Sequence, residues 1–407
     1  MKLDVLKNSM LQTLKKPLIS RELVIHTCNR LSEAIASGVY DEQMKRFVAY
    51  VHITEENRKE VCEMLSESYL RKKVVTELGN DEAIYFPLGV LLHIGPGNLD
   101  GISAFSVIEG LLMGNINILK LPSNQDPISV LILKALMQLE PALKEYIYIL
   151  NVPSNQKNKL KRLCGLADGV IVWGGDEAIS SYRGLVPANT KLIEWGHKIS
   201  FAYITQDGKN KKQLLALAEH IIKTKQLLCS SCQGIYIDCE NESEVDDFCK
   251  LFLPILEESV VKHGGFNIGI RAQNTLKLYN YDIEQNHKNI KIYKEKNVSL
   301  IRSYDSHLEN SLLYGNVWVK ALPRKNIIDV LKENRGHLQT VGLICGESER
   351  EELISVMIRA GITRIRSASD MSTEYQGDAH DGEYPLRRYG KVVKWNEKSF
   401  ISIQDSE

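Results

Sequence analysis

The chain has 407 residues, and its 51 lysines and arginines balance 51 aspartates and glutamates. This balance excludes a global electrostatic field that would favour nucleic acid or an anionic membrane surface. Domains average about 150 residues, so the length predicts two or three of them. The sequence also predicts no signal peptide and no transmembrane span, and its eight cysteines favour free thiols in a reducing, cytoplasmic compartment over a disulfide framework.

The first 70 residues have a polar, helical pattern, after which short apolar runs begin to alternate with helical segments. This alternation predicts an α/β fold with a parallel, doubly wound sheet of the Rossmann type. Such sheets bind nucleotides beyond the carboxyl ends of their strands. The predicted strands cover residues 88–94, 116–122, 146–152, 169–173 and 191–195.

A second α/β set follows. Its first strand (201–205) leads into an amphipathic helix (210–226), then to two cysteines and a further strand (234–238). The C-terminal residues 389–404 alternate like an edge strand, and residues 74–87 have the pattern of a hairpin around a Gly-Asn pair. The tail would pair either with the sheet or with another subunit, and we expect the hairpin and the tail to serve oligomerisation.

The segment HIGPGNLDG (93–101) follows the first strand of the predicted sheet. Its glycines have the spacing G-x-G-x-x-x-G, which does not match the dinucleotide fingerprint, and Pro96 lacks an N–H that a phosphate could use. Asn98 either presents its side-chain amide to the cleft as a hydrogen-bond donor or caps a turn or helix.

Two side chains near the end of the next strand are candidates for a cofactor contact. Lys120 ends the strand, where it either meets ribose or phosphate or extends its ammonium group into solvent. Ser123 follows three residues later. An acid at this place would repel a 2'-phosphate, whereas a serine leaves room for it, so the sequence favours NADP over NAD.

Two further motifs lie at the predicted carboxyl edge of the sheet. In VWGGDEAI (172–179), Gly174 and Gly175 either let a pyrophosphate approach the N-terminus of the next helix or form a tight turn capped by Asp176. Glu194 ends the last buried strand, where it is either a general base or proton relay or a solvated strand end.

The segment QLLCSSCQ (226–233) contains Cys229 and Cys232. A zinc site would need a second C-x-x-C pair, which the remaining cysteines do not provide. A redox pair normally begins a helix after a strand, whereas this pair follows a helix and precedes a strand. A single nucleophilic cysteine remains as the functional reading, and a packed structural cysteine is the alternative.

The order and spacing of these motifs resemble those of the aldehyde dehydrogenase superfamily, with Asn98 131 residues before Cys229 and Glu194 35 residues before it. The ordered set is Pro87-x-Gly89, Asn98, Gly114-Asn115, Lys120, Gly174, Glu194-x-Gly196-x-Lys198 and Cys229.

Within the superfamily, the chain most resembles the LuxC-like fatty acyl-CoA reductases of bacterial bioluminescence, over roughly residues 20 to 400. It differs from hydrolytic dehydrogenases at HIGPGN, which replaces their Pro-Trp-Asn, and it lacks their Glu-x-x-x-Gly-Pro motif for the nicotinamide ribose. The stretches that carry the resemblance are FPLGVLLHIGPGNLDG (86–101), GNINILKLPSN (114–124), QLLCSSCQ (226–233), HLQTVGL (337–343) and DGEYPLRRYGKVV (381–393).

The resemblance implies NADPH-dependent reduction of a long-chain acyl thioester to an aldehyde through an acyl-cysteine. It makes Cys229 the nucleophile, Asn98 the oxyanion donor and Lys120 a cofactor contact. The position of Glu194 activates water in the hydrolytic relatives, so in this chain Glu194 would either relay protons or face away. Small side chains at Ser230 and its neighbour would leave the Cys229 N–H accessible for the oxyanion.

The resemblance also implies an aldehyde-dehydrogenase-like architecture: an NADP-binding domain (1–196), a catalytic thiol domain (197–380), a C-terminal strand or arm (381–407) and a small β element for oligomerisation. The implied partners are acyl-CoA or an acyl-protein thioester, an acyl-protein synthetase or acyl carrier protein, and further copies of the chain. Two alternatives stay open: an NAD(P)-dependent dehydrogenase that oxidises an aldehyde to an acid, and a non-catalytic subunit of a fatty-acid-handling complex.

Overall fold

The computed structural model describes residues 3–45, 55–79, 85–97, 100–123, 125–263, 266–284, 290–373 and 377–394. The chain forms two compact units, a first unit of Met1–Gly196 with Tyr375–Glu407 and a second unit of His197–Glu374. The predicted assignment of cofactor, thiol and arm functions to these parts stays a prediction. Across the described ranges, the structure contains no helix with the length and apolar character that a bilayer crossing requires.

The first unit is built on a five-stranded sheet whose strands fall on the predicted apolar runs. Its strands are β2 (Val90–Ile94), β3 (Ile116–Lys120), β4 (Ile147–Leu150), β5 (Gly169–Trp173) and β6 (Lys191–Trp195). They are all parallel, in the order β4-β3-β2-β5-β6. The central strands β2 and β3 are buried along their whole length because helices cover both faces, which is why they read as continuous apolar runs.

The helices of the first unit pack on this sheet, and the first five of them form the N-terminal part of the chain. They are α1 (Leu3–Leu14), α2 (Arg21–Ala36), α3 (Asp41–Lys45), α4 (Glu55–Leu65), α5 (Glu67–Leu78), α6 (Ile102–Leu112), α7 (Pro127–Leu139), α8 (Lys157–Cys164), α9 (Asp176–Arg183) and α15 (Pro385–Arg388). The start of α7 shows the local control: Asp126 accepts the Ser129 N–H at 3.1 Å, and Pro127 occupies the first turn.

The hairpin predicted for residues 74–87 is wrong for its first arm. Residues 74–78 are the last turn of α5, and burial of Leu70, Val74 and Leu78 follows the four-residue period of a helix. Packing on the core therefore overrides the strand propensity of Val74 and its β-branched neighbour. Of the predicted turn, Gly79 is the C-cap of α5 with a φ of 76°, and Asn80 lies outside the described residues. In the described part of the second arm, β1 (Tyr85–Pro87) is a strand.

The C-terminal tail pairs within the chain. Its strand β14 (Gly390–Val392) is antiparallel to β1, and residues 395–404 of the longer predicted strand lie outside the described residues. Glu77 accepts the Leu386 N–H at 2.8 Å, and Asn115 donates to the Tyr389 carbonyl at 3.0 Å. These buried bonds fix the tail to the first unit.

The second unit is built on a seven-stranded sheet. Its strands are β7 (Ile199–Ile204), β8 (Cys232–Ile237), β9 (Ile290–Lys294), β10 (Ser299–Ser303), β11 (Asn316–Ala321), β12 (Leu338–Ile344) and β13 (Arg364–Arg366), and its helices are α10 (Lys211–Thr224), α11 (Glu242–Lys262), α12 (Ile268–Glu284), α13 (Ile327–Lys332) and α14 (Arg350–Ala360). The sheet order is β13-β12-β7-β8-β11-β10-β9, and only β9 is antiparallel to its neighbour. The predicted helix 210–226 and strand 234–238 are confirmed as α10 and β8.

Candidate active site

Cys229 lies in the loop that joins α10 to β8, and the start of this loop has an unusual backbone. Lys225 and Gln226 have φ angles of 52° and 62°, in the left-handed region that costs a side-chain-bearing residue on the order of 1 kcal/mol or more. Gln226 offsets this cost with buried bonds: its Nε2 donates to the Cys232 carbonyl at 3.2 Å, and its Oε1 accepts the Gly315 N–H at 2.9 Å. The loop is therefore held in one conformation.

The serines beside Cys229 fix the turn itself. The Leu228 N–H donates to Ser231 Oγ at 3.0 Å, and the Ser231 N–H donates back to the Leu228 carbonyl at 3.0 Å. Ser200 on β7 donates to the Cys229 carbonyl at 2.7 Å. We predicted a role for these serines only through their small size, whereas Ser231 is fully buried and hydrogen-bonded.

The two thiols of the C-x-x-C segment have opposite environments. Cys229 is exposed, whereas Cys232 is fully buried and its Sγ lies 3.2 Å from the Gly234 carbonyl oxygen. Burial raises the pKa of the Cys232 thiol to about 12, so this group is protonated at neutral pH and is no nucleophile. Of these two sulfurs, only that of Cys229 is exposed to a substrate.

A glutamine that sequence reasoning missed contacts the exposed thiol. Gln339 on β12 is only 2% exposed, and its Nε2 lies 3.4 Å from Cys229 Sγ. The family-like stretch HLQTVGL contains this residue, but no local pattern distinguishes it from an ordinary strand residue. Only the folded arrangement of β12 beside the α10–β8 loop brings the two side chains together.

The four predicted cofactor contacts lie at one edge of the first unit's sheet. Lys120 ends β3, Ser123 is exposed in the turn that follows, and Gly174 and Gly175 connect β5 to α9. This is the carboxyl edge, and the chain order reverses there between β2 and β5, the place where doubly wound sheets in general bind their ligands. The predicted oxyanion donor Asn98 lies outside the described residues.

The residues at this edge fit a phosphate-bearing nucleotide. A Cβ added at Gly95 would lie 2.6 Å from Ser103 Oγ, whose buried hydroxyl has no hydrogen-bond partner among the described residues. Among the described residues, no heavy atom lies within 4 Å of a Cβ added at Gly97 or Gly175, one after β2 and the other after β5. These positions allow a ligand to approach the main chain closely.

Lys120 supplies the positive charge at this edge. Its side chain is buried and donates to Ser154 Oγ at 3.2 Å, and the described part of the chain contains no ion pair to it. Burial lowers the pKa of the Lys120 ammonium group. A buried ammonium without a carboxylate is costly, so a phosphate or ribose hydroxyl that accepts its hydrogen bond would stabilise it.

Glu194 is held by an arginine. Arg183 at the end of α9 donates to both carboxylate oxygens, at 2.6 Å and 2.7 Å. These bonds lower the pKa of the Glu194 carboxyl. A paired carboxylate with a lowered pKa is a weak base, so the arrangement favours a structural ion pair over a general base. The role of Glu194 as general base or proton relay stays a prediction.

Within the ranges that the structure describes, there is no group of three or more His, Cys, Asp or Glu side chains that could hold a metal ion.

The fold is that of the aldehyde dehydrogenases. The chain superposes on succinic semialdehyde dehydrogenase from Streptococcus pyogenes, a structure in complex with NADP+, with a TM-score of 0.71. The match covers 97% of this chain and 95% of that one at 13% sequence identity. It confirms the predicted aldehyde-dehydrogenase-like fold.

The sequence comparisons identify the family. The chain is 24% identical over 323 residues to the long-chain acyl-protein thioester reductase of Aliivibrio fischeri. This match covers 75% of this chain and 64% of that protein. The Photobacterium phosphoreum protein of the same name is 24% identical over 362 residues, with 84% of this chain and 72% of that protein covered. The model of the family described as acyl-CoA reductase (LuxC) matches residues 14–392. The chain therefore belongs to the acyl-CoA reductase (LuxC) family.

Proposed function

We propose that the chain reduces a long-chain acyl thioester to the aldehyde, with NADPH as the reductant and Cys229 as the residue that carries the acyl group. The observation that carries the proposal is the exposed Cys229 thiol on a rigid, hydrogen-bonded loop of an aldehyde dehydrogenase fold. The names of the two bacterial relatives support an acyl-protein thioester as substrate. The NADP+ of the Streptococcus pyogenes structure supports a nicotinamide cofactor.

The first step exchanges one thioester for another. The Cys229 thiolate attacks the acyl carbon, a C–S bond forms, and the carbonyl electron pair moves onto oxygen. Donors aimed at this oxygen, proposed as the Asn98 amide and the Cys229 N–H, would each contribute roughly 3 to 4 kcal/mol to the transition state. When the carbonyl re-forms, the original thiol leaves and the acyl group remains on Cys229. The exchange is nearly isoenergetic, so no ATP is needed at this step.

The first unit would hold the cofactor at its carboxyl edge. Lys120 would contact phosphate or ribose, Ser123 would leave room for a 2'-phosphate, and the Gly174-Gly175 backbone would approach the pyrophosphate. A bound reduced nicotinamide supplies the hydride that converts the Cys229 thioester to a thiohemiacetal. Collapse of the thiohemiacetal releases the aldehyde and regenerates the thiolate.

Water is the competitor of this reaction, because it would convert the acyl-enzyme to a fatty acid. Glu194 occupies the position that activates water in the hydrolytic relatives, and here its carboxylate is paired with the guanidinium of Arg183. This pairing supports reduction over the alternative, oxidation of an aldehyde to an acid.

The acyl donor is proposed to be acyl-CoA or a protein-bound acyl group delivered by an acyl carrier protein or acyl-protein synthetase, and the chain is proposed to form homo-oligomers.

Mass spectrometry of the intact protein tests the proposal. Incubation with a long-chain acyl-CoA is expected to add one acyl group, and NADPH is expected to remove it faster than NADH at equal concentration while aldehyde appears. The Cys232→Ala variant is the matched control and is expected to behave like the wild type. Absence of any acyl adduct would instead indicate a non-catalytic subunit, and release of fatty acid instead of aldehyde would indicate a hydrolytic enzyme.

Replacement of Glu194 separates the two enzymatic readings. Glu194→Gln keeps the shape of the side chain and loses only the charge that pairs with Arg183. We expect the rate of aldehyde formation from acyl thioester to fall by less than about tenfold. If Glu194 were the general base of an aldehyde-oxidising enzyme, its loss would cost about 100-fold or more in acid formation from aldehyde and NADP. Arg183→Gln, which frees the carboxylate, is the companion variant.

A further inference from the structure

We propose that Gln339 is a catalytic residue, whose side-chain amide donates a hydrogen bond to the Cys229 sulfur and stabilises it whenever it carries negative charge. The inference rests on the proposed function in so far as Cys229 is the nucleophile. Nε2 of Gln339 lies 3.4 Å from Sγ, within the distance of an N–H···S hydrogen bond. An amide is a neutral donor, so it stabilises a thiolate without adding a permanent charge to the site.

The backbone of β12 aims this side chain at the thiol. The pairing register between β12 and β7 shifts between Leu338 and Val341, and Gln339 lies in this irregularity. Such irregularities redirect a side chain that regular pleating would place elsewhere. The Gln339 carbonyl is fixed on the other side, where it accepts the Thr363 N–H at 3.1 Å and the Thr363 hydroxyl at 3.3 Å.

One buried hydroxyl ties β12 to the thiol loop. Ser200 Oγ accepts the Thr340 N–H at 3.0 Å and donates to the Cys229 carbonyl at 2.7 Å. Ser200 is fully buried, so water does not compete for either bond. The residue after Gln339 and the residue that bears the nucleophile are thus joined through a single atom, which fixes the separation of amide and sulfur.

The amide has its nitrogen towards the sulfur. Thr340 Oγ1 donates to Gln339 Oε1 at 3.4 Å, which leaves the NH₂ group to face Cys229. The reversed amide would place oxygen lone pairs against a thiolate. Burial of Gln339 strengthens the bond, because a hydrogen bond to a charged atom gains when it is shielded from water.

The hydrogen bond acts at two points of the proposed cycle. In the free enzyme it raises the fraction of Cys229 present as thiolate. In the acyl-enzyme the sulfur is neutral and the bond is weak. When the thiohemiacetal collapses, the carbonyl of the aldehyde re-forms and the C–S electron pair returns to sulfur, where Gln339 again meets a thiolate. The residue therefore promotes both attack and release of the aldehyde.

Alkylation of Cys229 by iodoacetamide across a pH series tests this role in the full-length protein. Gln339→Met keeps the chain length and removes the donor, and Gln339→Glu presents a carboxylate to the sulfur. We expect the apparent pKa of alkylation to rise by about one unit in the methionine variant and by more in the glutamate variant. Thr363→Val, which loses only a bond to the Gln339 main chain, is expected to match the wild type.

The other cysteines monitor folding in the same experiment. Cys62 is partly exposed and the remaining six are buried, so alkylation at the buried positions would reveal an unfolded variant. If the Gln339→Glu variant unfolds, the pH profile of Cys229 alkylation in the Gln339→Met variant decides the test. Identical pH profiles in the wild type and the folded variants would overturn the inference. The proposed function fails separately, if wild-type Cys229 is alkylated normally but takes no acyl group from a long-chain acyl-CoA.

Discussion

Replacement of Cys229 by alanine is expected to abolish thioester-dependent oxidation of NADPH, with a loss of at least about a thousandfold in turnover. Each step of the proposed cycle needs the sulfur, because no covalent acyl-enzyme forms without it. Stopped-flow absorbance of NADPH after addition of a long-chain acyl-CoA measures the effect. Intact-mass analysis of the same samples should show no acyl adduct on the variant.

Cys232→Ala is the matched control for this experiment. Its buried thiol has a raised pKa, and the substitution removes one small buried atom, so we expect a loss of roughly 1 kcal/mol in stability and little change in turnover. The reverse result, with activity retained in Cys229→Ala and lost in Cys232→Ala, would refute the assignment of the nucleophile. Thermal unfolding of both variants distinguishes loss of chemistry from loss of fold.

Replacement of Asn98 by alanine is expected to lower turnover by about 100-fold or more. The resemblance places this amide at the oxyanion that forms when the Cys229 thiolate attacks, and loss of one such donor has costs of this size in other acyl-transfer enzymes. Steady-state kinetics with acyl-CoA and NADPH measures it. The KM for acyl-CoA should change little, because the bond strengthens only in the transition state.

Alkylation provides the control for Asn98. Iodoacetamide reacts with Cys229 without forming an oxyanion, so Asn98→Ala should be alkylated at the wild-type rate. Asn155→Ala, at an exposed position of the first unit, controls for general effects of losing an asparagine. Unchanged turnover in Asn98→Ala would mean that this residue serves only the turn after β2.

The parallel sheets were accessible from sequence because buried strands leave a strong pattern. Apolar runs bounded by polar turns predict β2 to β6 within a few residues, and their alternation with helices predicts the doubly wound order. The predicted hairpin failed for the opposite reason. Val74 and Val75 have strand propensity, but packing of Val74 and Leu78 on the core selects the helix.

The candidate site was predictable only where a motif carried it. Cys229, Lys120 and Glu194 belong to ordered motifs, but the sequence did not reveal that Arg183 pairs with Glu194. Gln339 lies 110 residues after Cys229, and only the register shift of β12 brings it to the sulfur. Contacts between distant segments depend on tertiary geometry, which no local pattern encodes.

The order of the segments along the chain has a consequence for synthesis. The second unit is one uninterrupted segment, whereas the first unit includes the tail from Tyr375 onwards. On the ribosome, every strand of the thiol-bearing unit has been translated by Arg366, while β1 still lacks its partner β14. The nascent chain therefore contains every described strand of the second unit before the last described strand of the first unit has been synthesised.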